Sequence, residues 1–162
     1  MPNPELCTEA DVTLLVHSFY DRVREDAALG PIFAAHVKNW DHHLATMVDF
    51  WSSALRGTAR YRGAPLPKHA ALPGLHIELF HQWLSLFRQT TQSLGHAGLQ
   101  ARADELAHSI AGSLWYGYLQ RHAAERPVVD IADVRMQATR SARSVPIVPQ
   151  RPTAHVAKRV EL

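Results

Sequence analysis

The stretch Pro65-Leu66-Pro67-Lys68-His69-Ala70-Ala71-Leu72-Pro73 decides how this 162-residue chain is read. Three prolines bracket it, and proline removes a backbone donor and restricts its preceding neighbour. Between them there is room for about one helical turn, and that turn carries Lys68 and His69. A short element stiffened in this way can hold an imidazole in a fixed place. Taken alone, it is equally a surface loop with an incidental histidine. The flanking sequence on both sides is strongly helical.

Upstream, Thr8 is placed to cap a first helix, with Asp11 at the reciprocal capping position. Leu15, Phe19 and Val23 recur on one face of it, with Val12 and Val16 beside them. Tyr20 follows Val16 by one turn and borders that stripe. Gly30 and Pro31 are expected to end the helix, and Pro31-Ile32-Phe33 opens a short turn or helical piece. A second long helix is expected over residues 41–55, with Leu44, Met47, Val48, Trp51 and Leu55 as its apolar stripe. His43, Met47 and Phe50 are spaced by four and three, so all three can look into one cavity. Gly57 stops this helix.

Downstream, a third helix is expected over about residues 75–90, with Leu75, Leu79, Trp83, Leu86 and Phe87 on its buried face. A buried Trp83 indole needs an acceptor. Residues 93–98 form a turn. The fourth helix covers about 99–120, with Leu99, Ala103, Leu106, Ile110, Leu114 and Gly117 recurring along it. Gly112 is expected to allow a close helix approach. The fold class is therefore all-α. Residues 128–134 (VVDIADV) read either as strand without a partner or as short helix.

Composition sets the bounds. Hydrophobic residues make up 46% of the chain, ordinary for a soluble domain. The formal net charge is +2, with 11 histidines uncounted. Residues 123–162 hold seven Lys or Arg against four acids, and the other 122 residues ten against eleven. The pI of 8.9 thus belongs largely to the tail. It does not argue for nucleic-acid binding by the domain. The expected organisation is a domain over 1–122 and a basic, proline-interrupted tail over 123–162, mobile or loosely docked. Cys7 is the single cysteine, which excludes an internal disulfide and fits a reducing compartment. The N-terminus lacks a signal-peptide pattern and no apolar run reaches membrane-spanning length. The expected location is the cytoplasm, with neither membrane nor nucleic acid as partner.

Hydrolase, zinc-protease and phosphate-loop motifs are absent. A zinc site built from His43, His69 and His76 has no supporting spacing. What the residues permit is a haem iron site: one fixed imidazole, an apolar pocket, and donors on the opposite side.

A resemblance narrows this further. Phe19-Tyr20-Asp21-Arg22-Val23-Arg24, Leu29-Gly30-Pro31-Ile32-Phe33, Trp40, His43, Asp49-Phe50-Trp51-Ser52-Ser53, Arg60-Tyr61-Arg62-Gly63, the proline-flanked His69 and Trp83-Leu84-Ser85-Leu86-Phe87 occur in an order and spacing that resemble the group III truncated haemoglobins. Together they cover nearly all of residues 10–120. The resemblance implies a truncated globin, a two-on-two helical sandwich around haem. It implies His69 as the proximal metal ligand, Tyr20 and Trp83 as distal ligand-stabilising donors, and His43 as the distal-helix histidine. His43 gates entry, adds a donor or points outward. Met47 takes the adjacent distal position. Phe33, Phe50 and Leu79 are expected wall residues, and Arg60, Tyr61 and Lys68 candidates for the haem propionates. The absence of C-x-x-C-H excludes a c-type attachment, and haem b is the cofactor the resemblance implies. The implied function is reversible binding of O2, CO or NO. The alternative is a haem enzyme acting on peroxide or nitric oxide, served by a separate reductase.

Overall fold

Thr8 and Asp11 cap each other as the sequence indicates. The Asp11 N–H donates to Thr8 Oγ1 at 3.1 Å and the Thr8 N–H to Asp11 Oδ2 at 2.8 Å. They start the first of six helices in a computed structural model that describes residues 1–123. The helices are α1 (Glu9–Glu25), α2 (Gly30–His36), α3 (Trp40–Arg56), α4 (Pro65–Ala70), α5 (Ile77–Ser93) and α6 (Ala97–Ala123). No strand occurs among the described residues. The tail beyond residue 123, including 128–134, lies outside them.

Boundaries differ from expectation at one informative place. Gly30 and Pro31 do not end α1; they begin α2. Asp26 ends α1 instead. Its carboxylate accepts the Ala28 and Leu29 N–H groups at 3.0 and 2.8 Å, turning the chain. Gln82 of α5 donates to the same carboxylate at 2.6 Å. At the end of α3, Gly57 takes the left-handed conformation (φ 79°) that a side chain resists, as its placement after the stripe suggested.

Two helix pairs build the fold. α1 lies on α3, α5 lies on α6, and the pairs meet through α1 with α5 and α3 with α6. That is a two-on-two arrangement. α2 packs on α1 and α4 on α6. The joint between layers is aromatic. Phe19 of α1 meets Trp83 and Phe87 of α5 edge-on at 5.2 and 5.1 Å, and Trp51 of α3 stacks on Phe87 at 4.8 Å. Val12, Leu15, Val16 and Val23 are buried along α1 as the periodicity implied.

The buried face of α6 differs in part. Leu99, Ala103, Ala107 and Ala111 are its buried residues, one leucine followed by a row of alanines one turn apart. Leu106 and Ile110 are only partly buried beside the core. The close approach expected at Gly112 is not found among the described residues, none of which would lie within 4 Å of a Cβ at that position. It occurs at Gly117, where a Cβ would come within 2.8 Å of Leu66 Cδ1 of α4. Among the described residues no helix is long and apolar enough to cross a membrane.

Candidate functional site

Between the two layers and α4 lies a cavity of about 400 Å³, within the size range of cofactor and ligand pockets. His69 lines it. Its Nδ1 lies 2.8 Å from the carbonyl oxygen of Pro65, one turn earlier on α4. A carbonyl only accepts, so Nδ1 carries the proton and donates. Nε2 is thereby left as the lone-pair nitrogen. A backbone carbonyl holding one ring nitrogen while the other serves a metal is the usual arrangement of a ligating histidine.

α1 and α3 bring the other polar groups. Tyr20 is 5% exposed, and burial pushes its hydroxyl far above the ordinary phenol value, so it stays protonated. Its ring meets Phe33, Trp40 and His43 at 5.8, 6.1 and 5.0 Å. His43 is therefore set in an aromatic wall of the cavity rather than pointing outward. Burial, with the neighbouring His69 and His42, lowers its affinity for a proton. Its Nε2 is buried and has no hydrogen-bond partner among the described residues. α5 contributes Trp83, stacked on Phe87 at 5.4 Å with its ring on the cavity. Neither the Tyr20 hydroxyl nor the Trp83 indole N–H has a hydrogen-bond partner among the described residues.

Phe33, Met47, Phe50, Lys68 and Leu79 also line the cavity. Arg60 and Tyr61 do not. Arg60 is taken up by carboxylates, with Glu9 at 2.6 Å and Asp49 at 3.0 Å. It joins a network in which Ser52 Oγ and Arg56 Nε also reach Glu9. Burial raises the Glu9 carboxyl, but hydrogen bonds from Ser52 and Arg60 and the charges of Arg60 and Arg56 hold it below its ordinary value. Tyr61 donates its N–H to Ser53 and packs its ring edge-on behind Phe50 at 5.2 Å. Sequence reasoning missed His36 and Val37 at the end of α2, and Phe80 on α5. Phe80 lies one residue past Leu79, off the apolar stripe. His36 sits in a helix too short to show a period.

These residues suit a haem. The walls are apolar, one imidazole has its lone-pair nitrogen fixed, and among the described residues a buried imidazole nitrogen and two aromatic donors have no partner. Among the described residues no group of three or more His, Cys, Asp or Glu could hold a bare metal ion, so the zinc arrangement finds no support.

The family model for bacterial-like globins matches residues 5–114. The group 3 truncated haemoglobin ctb of Campylobacter jejuni is 37% identical over 90 residues, covering 53% of this chain and 71% of that protein. The crystal structure of a group III truncated haemoglobin from Campylobacter jejuni superposes with a TM-score of 0.58 at 31% identity. It covers 69% of this chain and 94% of that one.

Proposed function

Because this chain belongs to the bacterial-like globins, with the fold of a group III truncated haemoglobin, we propose that it carries haem b on His69 and binds a diatomic gas reversibly beside Tyr20, His43 and Trp83. The observation that carries this reading is the 2.8 Å bond from His69 Nδ1 to Pro65, on the wall of a cavity that also holds the unpartnered His43 Nε2. Bound there, haem b would be held by His69 and would supply an iron able to take up O2, CO or NO.

The chain's own groups do the rest. His69 Nε2 donates its lone pair, and the Pro65 carbonyl keeps the ring in the tautomer that makes this possible. A gas ligand that gains negative charge on binding is stabilised by donors. The protonated Tyr20 hydroxyl and the Trp83 N–H are two. His43, whose affinity for a proton burial lowers, adds a third through Nε2 in the tautomer that carries its hydrogen there. Phe33, Met47, Phe50 and Leu79 exclude bulk water. Lys68 supplies the positive charge for a propionate carboxylate. A single cysteine suits a reducing, cytoplasmic setting.

Replacing His69 by glycine and then supplying imidazole tests the assignment. Purified His69→Gly protein is expected to lose the ferrous five-coordinate spectrum of the parent and to regain it with added imidazole. A variant whose spectrum and haem retention equal those of the parent without imidazole would remove His69 as the ligand.

A further inference from the structure

The last turns of α6 carry features that gas binding does not use. His122 Nε2 lies 3.1 Å from the carbonyl oxygen of Ala70, the last residue of α4. The carbonyl can only accept, so the imidazole donates. A helix of six residues leaves its last carbonyls without intrahelical partners. Two are met locally: Pro67 accepts from the Ala71 N–H at 3.2 Å and His69 from the Leu72 N–H at 3.1 Å. The carbonyl of Ala70 is met from a different helix.

His122 is itself held in place. Its ring lies 4.3 Å from that of Tyr118, which stacks on Trp115 at 5.6 Å. Trp115 packs against Phe80, a wall residue of the cavity, at 5.5 Å. Gly117 supplies the second seat, the notch that receives Leu66. α4 thus meets α6 at two points, one on each side of His69 in sequence.

This matters because of what the other bonds leave free. The bond from His69 to Pro65 is internal to α4. It fixes the ring relative to its own helix, but not the helix relative to the cavity. Among the described helices α4 packs only on α6. Of the described helices, α6 is the one whose contacts can set where the imidazole stands. We infer that His122 is a positioning residue for His69: its hydrogen bond to Ala70, together with Leu66 in the Gly117 notch, sets how α4 presents the imidazole to haem iron. The inference rests on the haem reading above.

Resonance Raman spectra of the ferrous, ligand-free holoprotein test it through the iron–histidine stretching band. That band reads the orientation and strain of the proximal imidazole rather than stability. His122→Phe keeps a ring against Tyr118 but has no donor. It is expected to shift or broaden the band and to speed haem transfer to an excess of acceptor apoglobin about fivefold. His122→Gln restores a donor and is expected to bring the band back toward wild type. Gly117→Val presses on Leu66 at the other seat and is expected to move the same band, which keeps the test available if His122→Phe does not fold. A folded His122→Phe holoprotein with the wild-type band and wild-type haem loss would overturn the inference. Absence of any iron–histidine band in wild type would overturn the ligand assignment itself, and is seen before a variant is made.

Discussion

Tyr20 and Trp83 come to the cavity from different helices, α1 and α5, and both pack against Phe19. Each carries one proton that no acceptor among the described residues takes up. Tyr20→Phe and Trp83→Phe are each expected to speed O2 dissociation about five- to tenfold, the equivalent of roughly 1 to 1.5 kcal/mol for one hydrogen bond. The double variant is expected to fall short of the product of the two effects, because both donors serve one acceptor. CO carries less negative charge on its distal atom, so its dissociation is expected to respond more weakly. Stopped-flow dissociation of both gases from the four proteins reads this. If the residues serve only packing, O2 rates stay equal among the folded holoproteins, and Trp83→Phe shows its cost as lower stability.

Helix ends and close approaches set the shape of the site at the scale of elements. Asp26 ties the start of α2, which carries Phe33 and His36, to α1 and α5. Asp26→Ala is expected to cost about 1 kcal/mol, as for loss of a capping carboxylate. Its acid behaviour follows from its bonds. The Leu29 N–H, aided by Gln82 and Ala28 and opposed by burial, holds the Asp26 carboxyl below its ordinary value of 3.8. That stability is therefore present above about pH 3.8 and is lost as pH falls through the lowered folded value. Urea midpoints taken between pH 6 and pH 2.5 are expected to converge for wild type and Asp26→Asn at the acid end. Parallel curves would contradict this. Two glycines of α6 make a second comparison. Gly112→Ala meets none of the described residues and is expected to stabilise by about 0.5–1 kcal/mol through helix propensity. Gly117→Ala meets Leu66 and is expected to fall below that gain. Equal thermal shifts for the two would remove the notch. The sequence made helix existence legible, because the apolar periods of α1, α3 and α5 are strong. It did not reveal which glycine another helix approaches, since both glycines interrupt α6 alike and only the path of α4 tells them apart. The partners of Arg60 were hidden for the same reason: a basic residue near a predicted pocket says nothing of Glu9 and Asp49, 51 and 11 residues away. The short helix that carries His69 was legible because its prolines act locally.

Across the molecule, two helix pairs meet on an aromatic joint, and the space left beside that joint is the cavity. The apolar joint holds α1, α3 and α5 in register, so Tyr20, His43 and Trp83 converge although they are 63 positions apart from first to last in the chain. α4, six residues long, is added from the other side as the carrier of one imidazole. Gas binding and redox turnover would use this same architecture. Decay of the oxy form on mixing with nitric oxide, followed by repeated cycles with an added reductase, separates them. The prior question is whether the cavity takes up haem and leaves a coordination position for a gas. The absorption spectrum of the reduced, haem-reconstituted protein before and after addition of CO answers it. A five-coordinate ferrous spectrum that converts with CO to a sharp six-coordinate one is the expected result. A folded protein that retains no haem, or a retained haem whose reduced spectrum is unchanged by CO, would contradict it.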